Sequence, residues 1–591
     1  MKKLMTGDEA VAQGVYEAGV SFASAYPGTP STEILENVST YKEIYSEWAP
    51  NEKVAMEAAI GASISGVRSF AAMKHVGVNV AADPLLTFAY MGTNGGMVFV
   101  SADDPGMYSS QNEQDNRNYA KFAKIAMFEP SDSQESLDMV KEAYHVSEEY
   151  DLIVMLRMTT RICHSKSLVE ISDRTEVPVV PYVKNQLKFE AIPAIAKKLR
   201  IAMVDREAKL KAYSESTIFN REEWHTDEIG IVTAGISYQY AKEVFGNDAS
   251  YLKIGFTFPL PLEKIRAFSK KVKKLYVIEE LDPFMEEQIK TAGIACIGRD
   301  LIPGIDELNP DIIRKALLGT CGERQEMPAE YVVPRPPALC AGCPHRGFFY
   351  ELKQRKETVI VGDIGCYGLG GSAPLNAIDI GLDMGSAFSL AHGIKKGFDH
   401  SGQTKHVVGV VGDSTFFHTG INGLIEASYN HSNIVCAILD NRITGMTGHQ
   451  ENPGTGYRID GLPTTLIDIE TVVRAVGIQH VKTVNPLDLK EMSEALDWAF
   501  SIENDPSVII TKWPCVLKKF SDEDRQQFDL NRTVCIVDQA KCIGCKKCLG
   551  TGCPALRFNS ETKKTSIGTG CVGCMICVQV CPVKAIGKKG E

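Results

Sequence analysis

The stretch His406-Val407-Val408-Gly409-Val410-Val411-Gly412-Asp413-Ser414, answered by Ile434-Val435-Cys436-Ala437-Ile438-Leu439-Asp440-Asn441, decides how this chain folds. Each begins as a short, apolar run rich in β-branched residues, the composition of a strand buried on both faces. A helix rich in small residues lies between them. Two parallel strands joined by one crossover bring Asp413 and Asn441, 28 positions apart, side by side at the C-terminal edge of a sheet. Such a pair of oxygen ligands suits an octahedral Mg2+ that also takes two diphosphate oxygens. Gly412 lets the backbone approach the diphosphate, and the helix that opens at Asp413-Ser414 favours an anion at its N-terminus. The following loop, Asn441-Arg442-Ile443-Thr444-Gly445-Met446-Thr447-Gly448, offers the N–H groups of Thr444, Gly445, Met446 and Thr447 to finish the cradle. The Ile443 carbonyl is a third protein ligand for the metal. The competing reading is an ordinary strand–helix turn with a capping Asp.

The same alternation recurs upstream, so the class is α/β and multidomain. Residues 1–180 hold strand Val20 to Ala25, the turn Tyr26-Pro27-Gly28-Thr29-Pro30 and a helix opened by Ser31-Thr32-Glu33. Val54 to Val67 has small residues at helical spacing, and Val98 to Ser101 is a further buried strand. Residues 181–327 start with charged helices, show linker character from Glu215 to Asp227, and restart the α/β pattern at Ile229. Pro328 to Pro337 reads as a Pro-rich linker. A third α/β unit spans 338–520, and 530–591 is a small cysteine-rich α+β module.

That module carries Cys542, Cys545, Cys548 and Cys553-Pro554, then Cys571, Cys574, Cys577 and Cys581-Pro582. The second run matches the bacterial ferredoxin spacing C-x2-C-x2-C-x3-C-P; the first has one extra residue before its fourth Cys. In such pairs the fourth Cys of each run serves the other cluster. One [4Fe–4S] cluster is therefore assigned to Cys542, Cys545, Cys548 and Cys581. The other falls to Cys571, Cys574, Cys577 and Cys553. Zinc ribbons do not stack three Cys at this spacing. Upstream lie Cys340-Ala341-Gly342-Cys343, Cys366 and Cys515, three of them at loops flanking the Asp413 edge. Four thiolates there would hold a third [4Fe–4S] cluster, with a zinc site as the alternative.

Composition excludes several classes. Hydrophobic content of 44% and charged content of 23% leave ample core for a globular chain. A net charge of -11 argues against nucleic acid and anionic membrane as partners. No run of about 18 apolar residues appears, and no signal peptide opens the sequence. Seventeen Cys without such a signal place the protein in the reducing cytoplasm, with the thiols on metal.

The Gly412-Asp413-Ser414 and Asn441 pair resembles the thiamine diphosphate motif. With the double cysteine run it makes the whole chain similar to the 2-oxoacid:ferredoxin oxidoreductases, and in domain order to alpha chains of their indolepyruvate branch. The motifs carrying the likeness are Tyr26 to Ser31, Asn51-Glu52-Lys53-Val54-Ala55-Met56-Glu57-Ala58, Leu339 to Gly347 and Asp440 to Gln450. The resemblance implies two thiamine-diphosphate-binding-type α/β domains, a transketolase C-terminal-like α/β domain and a bicluster ferredoxin module. It implies oxidative decarboxylation of a 2-oxo acid, an arylpyruvate such as indolepyruvate, with coenzyme A as acyl acceptor and ferredoxin as electron acceptor. It also implies a smaller beta subunit in an α2β2 assembly. It puts the proximal cluster on Cys340, Cys343, Cys366 and Cys515 and gives Thr29 the substrate carboxylate.

Two residues compete for the carboxylate that hydrogen-bonds the aminopyrimidine ring, Glu52 and Glu57. Family spacing ahead of Gly61-Ala62 selects Glu52. Arg117 is a further expected contact for the substrate carboxylate, because the family's equivalent loop carries an Arg and that anion suits a bidentate cation. His345 and His392 read as structural. Three other readings stay open: the same chemistry on pyruvate or another 2-oxo acid such as 2-oxoglutarate, a non-oxidative decarboxylase with fused clusters, and an electron-transfer subunit whose thiamine site is idle.

Overall fold

The computed structural model describes residues 1–322 and 327–590 and separates into two units, Met1–Pro328 and Ala329–Glu591. The last residues of the 181–327 segment, 323–326, lie outside the described residues.

In the first unit, seven strands form one sheet in the order Phe256–Phe258, Ala126–Phe128, Val154–Thr159, Met97–Asp103, Ser69–Lys74, Phe22–Ala25, Tyr45–Trp48. All neighbours are parallel except the first pair. Met97–Asp103 and Val154–Thr159 are buried along their whole lengths, as central parallel strands covered on both faces must be. Helices pack with conventional ends. Gly7–Glu17 starts in a capping box between Thr6 and Glu9. Glu52–Ser65 is capped by the Asn51 side chain and stops at Gly66, which has φ of 101°. A side chain at Gly66 would collide with the Val180 carbonyl.

The segment expected as a linker is built into the fold instead. Pro193–Ser216 is a 24-residue helix, and its Arg206 donates to the carbonyls of Tyr90 (2.6 Å) and Asp151 (2.5 Å). Asn220–Glu223 is a strand, antiparallel to Ser250–Ile254 in a four-stranded sheet with Ile229–Ala234 and Lys274–Ile278. Phe256–Phe258 follows within two residues and crosses into the seven-stranded sheet. There the Phe256 ring meets Phe128 edge-on at 4.9 Å. The two sheets of this unit therefore share chain.

The second unit is a five-stranded parallel sheet in the order Thr358–Val361, His406–Gly412, Val435–Asp440, Ser507–Lys512, His480–Val484. The cysteine-rich module pairs Cys535–Val537 with Ile586–Lys588 and Leu556–Asn559 with Lys564–Ile567, both antiparallel. It is joined to the sheet domain by a cluster of Leu487, Leu489, Trp513 and Ile576. Arg346 reinforces the joint, donating to the Thr551, Leu339 and Cys340 carbonyls at 2.6–2.8 Å. Among the described residues, no helix is long and apolar enough to cross a membrane.

Candidate active site

Gly412 pairs with Leu439 across the central strands of the second unit, so Asp413 and Asn441 leave the sheet at the same edge. Asp413 is buried and surrounded by donors. Its Oδ1 accepts from Ser414 N–H at 2.9 Å, and its Oδ2 accepts from Ile443 N–H at 3.1 Å and Asn452 Nδ2 at 3.3 Å. Asn441 Oδ1 also accepts from Ile443 N–H, at 3.2 Å. Despite these donors, burial and the neighbouring Asp440 carboxylate hold Asp413 above the ordinary carboxylate range. A buried acid in that state lacks a cation, and Asp413 with the Asn441 amide oxygen is a donor set that fits Mg2+. Gly412 has a reason of its own. A Cβ there would lie 2.7 Å from the Tyr367 ring, whose hydroxyl shares a 2.9 Å hydrogen bond with Thr415. Thr444 is buried and Met446 exposed on the loop beyond.

Two participants escaped the sequence reading. Asn452 follows the quoted loop and reaches Asp413; its only signal is an Asn set before Pro453-Gly454. His345, expected to be merely structural, lies with Nε2 3.4 Å from Asn441 Nδ2, and burial pulls its pKa down to about 4. A neutral His345 thus sits beside the candidate metal ligand. His392 is remote from this edge, bonded to Ser432.

The thiols of Cys340, Cys343, Cys366 and Cys515 converge at the same edge. Burial, then Cys515 and Cys340, push Cys366 up to about 11; burial pushes Cys343 up to about 12, with Cys515 and Cys340 adding to it. Asp413 is close enough to add to the rise at both Cys366 and Cys515. Cys343, Cys366 and Cys515, which burial keeps from ionising when bare, fit together with Cys340 a cationic metal centre that would take all four as thiolates. In the small module, Cys542, Cys545, Cys548 and Cys581 line one hollow. Cys553, Cys571, Cys574 and Cys577 line a second, where Cys535 joins them. Each run thus sends its fourth Cys to the other's hollow. Cys535, outside both cysteine runs, also donates its backbone N–H to Cys571 Sγ at 3.4 Å.

In the first unit the sheet edge carries a different kind of site. Glu52 is buried on the first turn of its helix, and its carboxyl packs so tightly on Gly77 that a Cβ there would lie 2.7 Å from Oε1. Glu57 faces solvent and pairs with Lys53, so the fold separates the two candidates. Thr29 lies in the Tyr26-to-Pro30 turn, and its carbonyl accepts from Ser109 Oγ at 3.2 Å. Lys74, at the end of its strand, runs its stem along Gly28 and donates to the Ser109 carbonyl at 2.9 Å. Burial lowers Lys74 to about 8, against the pull of Asp104 and Glu52.

Arg117 requires a correction. It is 1% exposed and donates to Asp115 at 2.5–3.1 Å, to Glu279 at 2.7 Å and to the Glu280 and Asp282 carbonyls at 2.8 and 3.0 Å. It fastens the four-stranded sheet to the seven-stranded one. A guanidinium so enclosed is a structural ion pair rather than a receptor for substrate.

Comparison with known proteins agrees with this geometry. Residues 13–216 match the family model for "Pyruvate flavodoxin/ferredoxin oxidoreductase, thiamine diP-bdg", and residues 363–511 match "Thiamine pyrophosphate enzyme, C-terminal TPP binding domain". The chain is a thiamine-diphosphate-dependent 2-oxoacid:ferredoxin oxidoreductase, an enzyme of 2-oxoacid oxidative decarboxylation. The chain is 39% identical over its whole length to indolepyruvate oxidoreductase subunit IorA of Methanothermobacter thermautotrophicus, covering 98% of that protein. It is 37% identical, again over its whole length, to the protein of the same name from Pyrococcus horikoshii, covering 97% of it. This chain belongs to the IorA family of indolepyruvate oxidoreductase subunits. Among solved structures, a 2-oxoglutarate:ferredoxin oxidoreductase from Magnetococcus marinus is a distant likeness. It is 18% identical, with a TM-score of 0.46 over 54% of this chain and 65% of that one.

Proposed function

We propose that this chain, with a smaller partner subunit, oxidatively decarboxylates an arylpyruvate such as indolepyruvate in the cytoplasm. Coenzyme A takes the acyl group and ferredoxin takes the electrons, in an α2β2 assembly. The observation that carries the reading is the shared edge of the second unit, where Asp413 lies close enough to Cys366 and Cys515 to perturb both thiols. A decarboxylation site and an electron acceptor belong that close together only if the reaction is oxidative.

The segments divide the work. Residues 1–180 would bind the pyrimidine end of the cofactor and the substrate, and 181–327 would brace them. Residues 338–520 would bind the diphosphate end, and 530–591 would carry electrons out. Asp413, Asn441 and the Ile443 carbonyl would hold Mg2+. Gly412, Ser414, Thr444, Gly445, Met446 and Thr447 would cradle the diphosphate. Cys340, Cys343, Cys366 and Cys515 would hold the proximal [4Fe–4S] cluster. The module's crossed sets, with Cys581 and Cys553 exchanged, would hold two more. When bound, thiamine diphosphate supplies the nucleophilic carbon and the electron sink that loss of CO2 requires.

The chain's own groups set the protons and charges. Glu52, shielded from water on Gly77, holds the proton exchanged with the aminopyrimidine ring at its carboxylate. Thr29 donates its hydroxyl to the substrate carboxylate. Lys74, tied to the same turn through Ser109, offers that carboxylate the cation that Arg117 does not. Neutral His345 orients the Asn441 side chain.

The test is anaerobic dye reduction by this chain with its partner subunit, Mg2+, thiamine diphosphate and coenzyme A, across a series of 2-oxo acids. Coenzyme-A-dependent reduction with indolepyruvate or phenylpyruvate, and little with pyruvate, is expected. Preference for pyruvate would discard the substrate and keep the chemistry. No reduction by protein with its full iron content would leave an electron-transfer subunit.

A further inference from the structure

A second group of ligating side chains lies at none of the positions used above. Asp8, on the first turn of helix Gly7–Glu17, faces Glu33 of helix Thr32–Val38 and His164, the last residue of the short helix Thr160–His164. One ligand atom from each lies within 4.8 Å of the other two. Asp8 is 1% exposed, and neither of its carboxylate oxygens has a conventional hydrogen-bond donor. The thiol of Cys163, a weak donor, lies against it. Glu33 Oε2 is likewise buried and without a donor, and stands 4.0 Å from His164 Nε2. Two carboxyl groups thus face each other with no Lys or Arg bridging them among the described residues, whereas Asp103, Asp115, Glu129, Glu135 and Glu279 of the same unit are answered by Arg117, Arg157 and Lys253.

We propose that Asp8, Glu33 and His164 form a binding site for a divalent first-row transition metal ion, of which Zn2+ is the best match. The donor set decides the class. Mg2+ and Ca2+ prefer all-oxygen shells, whereas Zn2+ takes imidazole and carboxylate together. Three protein ligands leave the fourth tetrahedral position to water. Glu33 and His164 are partly exposed and provide the entry path, while Asp8 closes the floor. The bound ion ties three elements: the first helix, the helix that follows the Thr29 turn, and the helix that ends strand Val154–Thr159. It therefore holds the turn that presents Thr29. The alternative is a proton on Asp8, shared with the Cys163 thiol, and no metal.

The experiment uses the full-length chain with its clusters in place, anaerobically equilibrated with Zn2+ in the presence of excess Mg2+ and thiamine diphosphate, then dialysed. Zinc and iron per chain are measured by mass spectrometry for wild type, His164→Gln and Glu33→Gln. Both substitutions alter partly exposed side chains and leave folding intact. One more equivalent of zinc in wild type than in either variant, at equal iron, is expected. Zn2+ should also raise the Tm of wild type and not of the variants. A zinc anomalous peak between the three residues in a crystal would place the ion directly. Equal zinc in all three proteins, or an extra zinc whose anomalous peak lies elsewhere, overturns the proposal.

Discussion

The two sheet edges treat buried charge in opposite ways. In the N-terminal unit, three buried cations are matched to buried carboxylates. Arg117 sits between Asp115 and Glu279, Arg157 between Asp103 and Glu129, and Lys253 on Glu135. In the C-terminal unit, Asp413 and Cys343 are buried and Cys366 and Cys515 partly so, and burial drives these four away from their charged forms. Paired burial is architecture: removing water from both ions costs about what their attraction returns. Unpaired burial favours the neutral group, because an isolated buried carboxylate is too costly to keep, and a bound cation would reverse that preference. By that criterion Asp8 belongs with Asp413 although it lies in the other unit. Arg117 belongs with the scaffold although its loop looks like a substrate loop.

The largest expected effect breaks the catalytic half of the comparison. Glu52→Gln should lower turnover by roughly 10²–10⁴-fold. Iron content and thiamine diphosphate binding should be unchanged; a smaller loss would return the role to another group. Next comes Arg117→Met, which strands Asp115 and Glu279. Chemical denaturation should show a loss of about 3–5 kcal/mol, with KM for the 2-oxo acid unchanged in the folded fraction. A raised KM without lost stability would restore Arg117 to the substrate. Lys74→Met should do the reverse, raising KM by about 10–100-fold, the value of a charge-assisted hydrogen bond of about 1.5–3 kcal/mol, with little change in Tm.

A pH series sharpens the other half. Asp413 in the folded chain is held above its ordinary value, so the metal-free folded state binds more protons than the unfolded one. Stability without Mg2+ should therefore fall as pH rises from about 4 through the raised value of the folded carboxyl. Saturating Mg2+ and thiamine diphosphate should abolish that slope, and Asp413→Asn should remove its Asp413 component without them. The smallest effect is expected at Glu57→Gln, on the solvent side of the same helix as Glu52. Turnover should be unchanged and stability within about 0.5 kcal/mol; a Glu52-like loss would exchange the two residues.

Much of the molecule was legible in one dimension. Strands buried on both faces read as unbroken apolar runs, so the α/β class and the Asp413 edge follow from His406 to Asn441 alone. The cysteine spacing likewise states its own topology, since tight turns are local. What escaped was non-local. Nothing in Glu215 to Asp227 announces that it holds a strand of the second sheet, because the strand's partner, Ser250–Ile254, lies beyond a helix. Asn452 lies in a segment with no ligand pattern, and His345, two residues past Cys343, is not itself part of the cysteine pattern, yet both reach the Asp413 edge.

The sequence by itself determined the fold class, the family and the chemical types present: an oxygen pair at a strand end, crossed thiol sets, and two glutamates on one helix. Tertiary structure alone decided their states. It buried Glu52 on Gly77 and left Glu57 in water. It spent Arg117 on Asp115 and Glu279, and it left Asp8 and Asp413 without cations. Residue type and spacing fix which atoms can ligate or ionise, but charge state depends on solvent and on neighbours that the fold brings in from other elements. Only the folded chain supplies those.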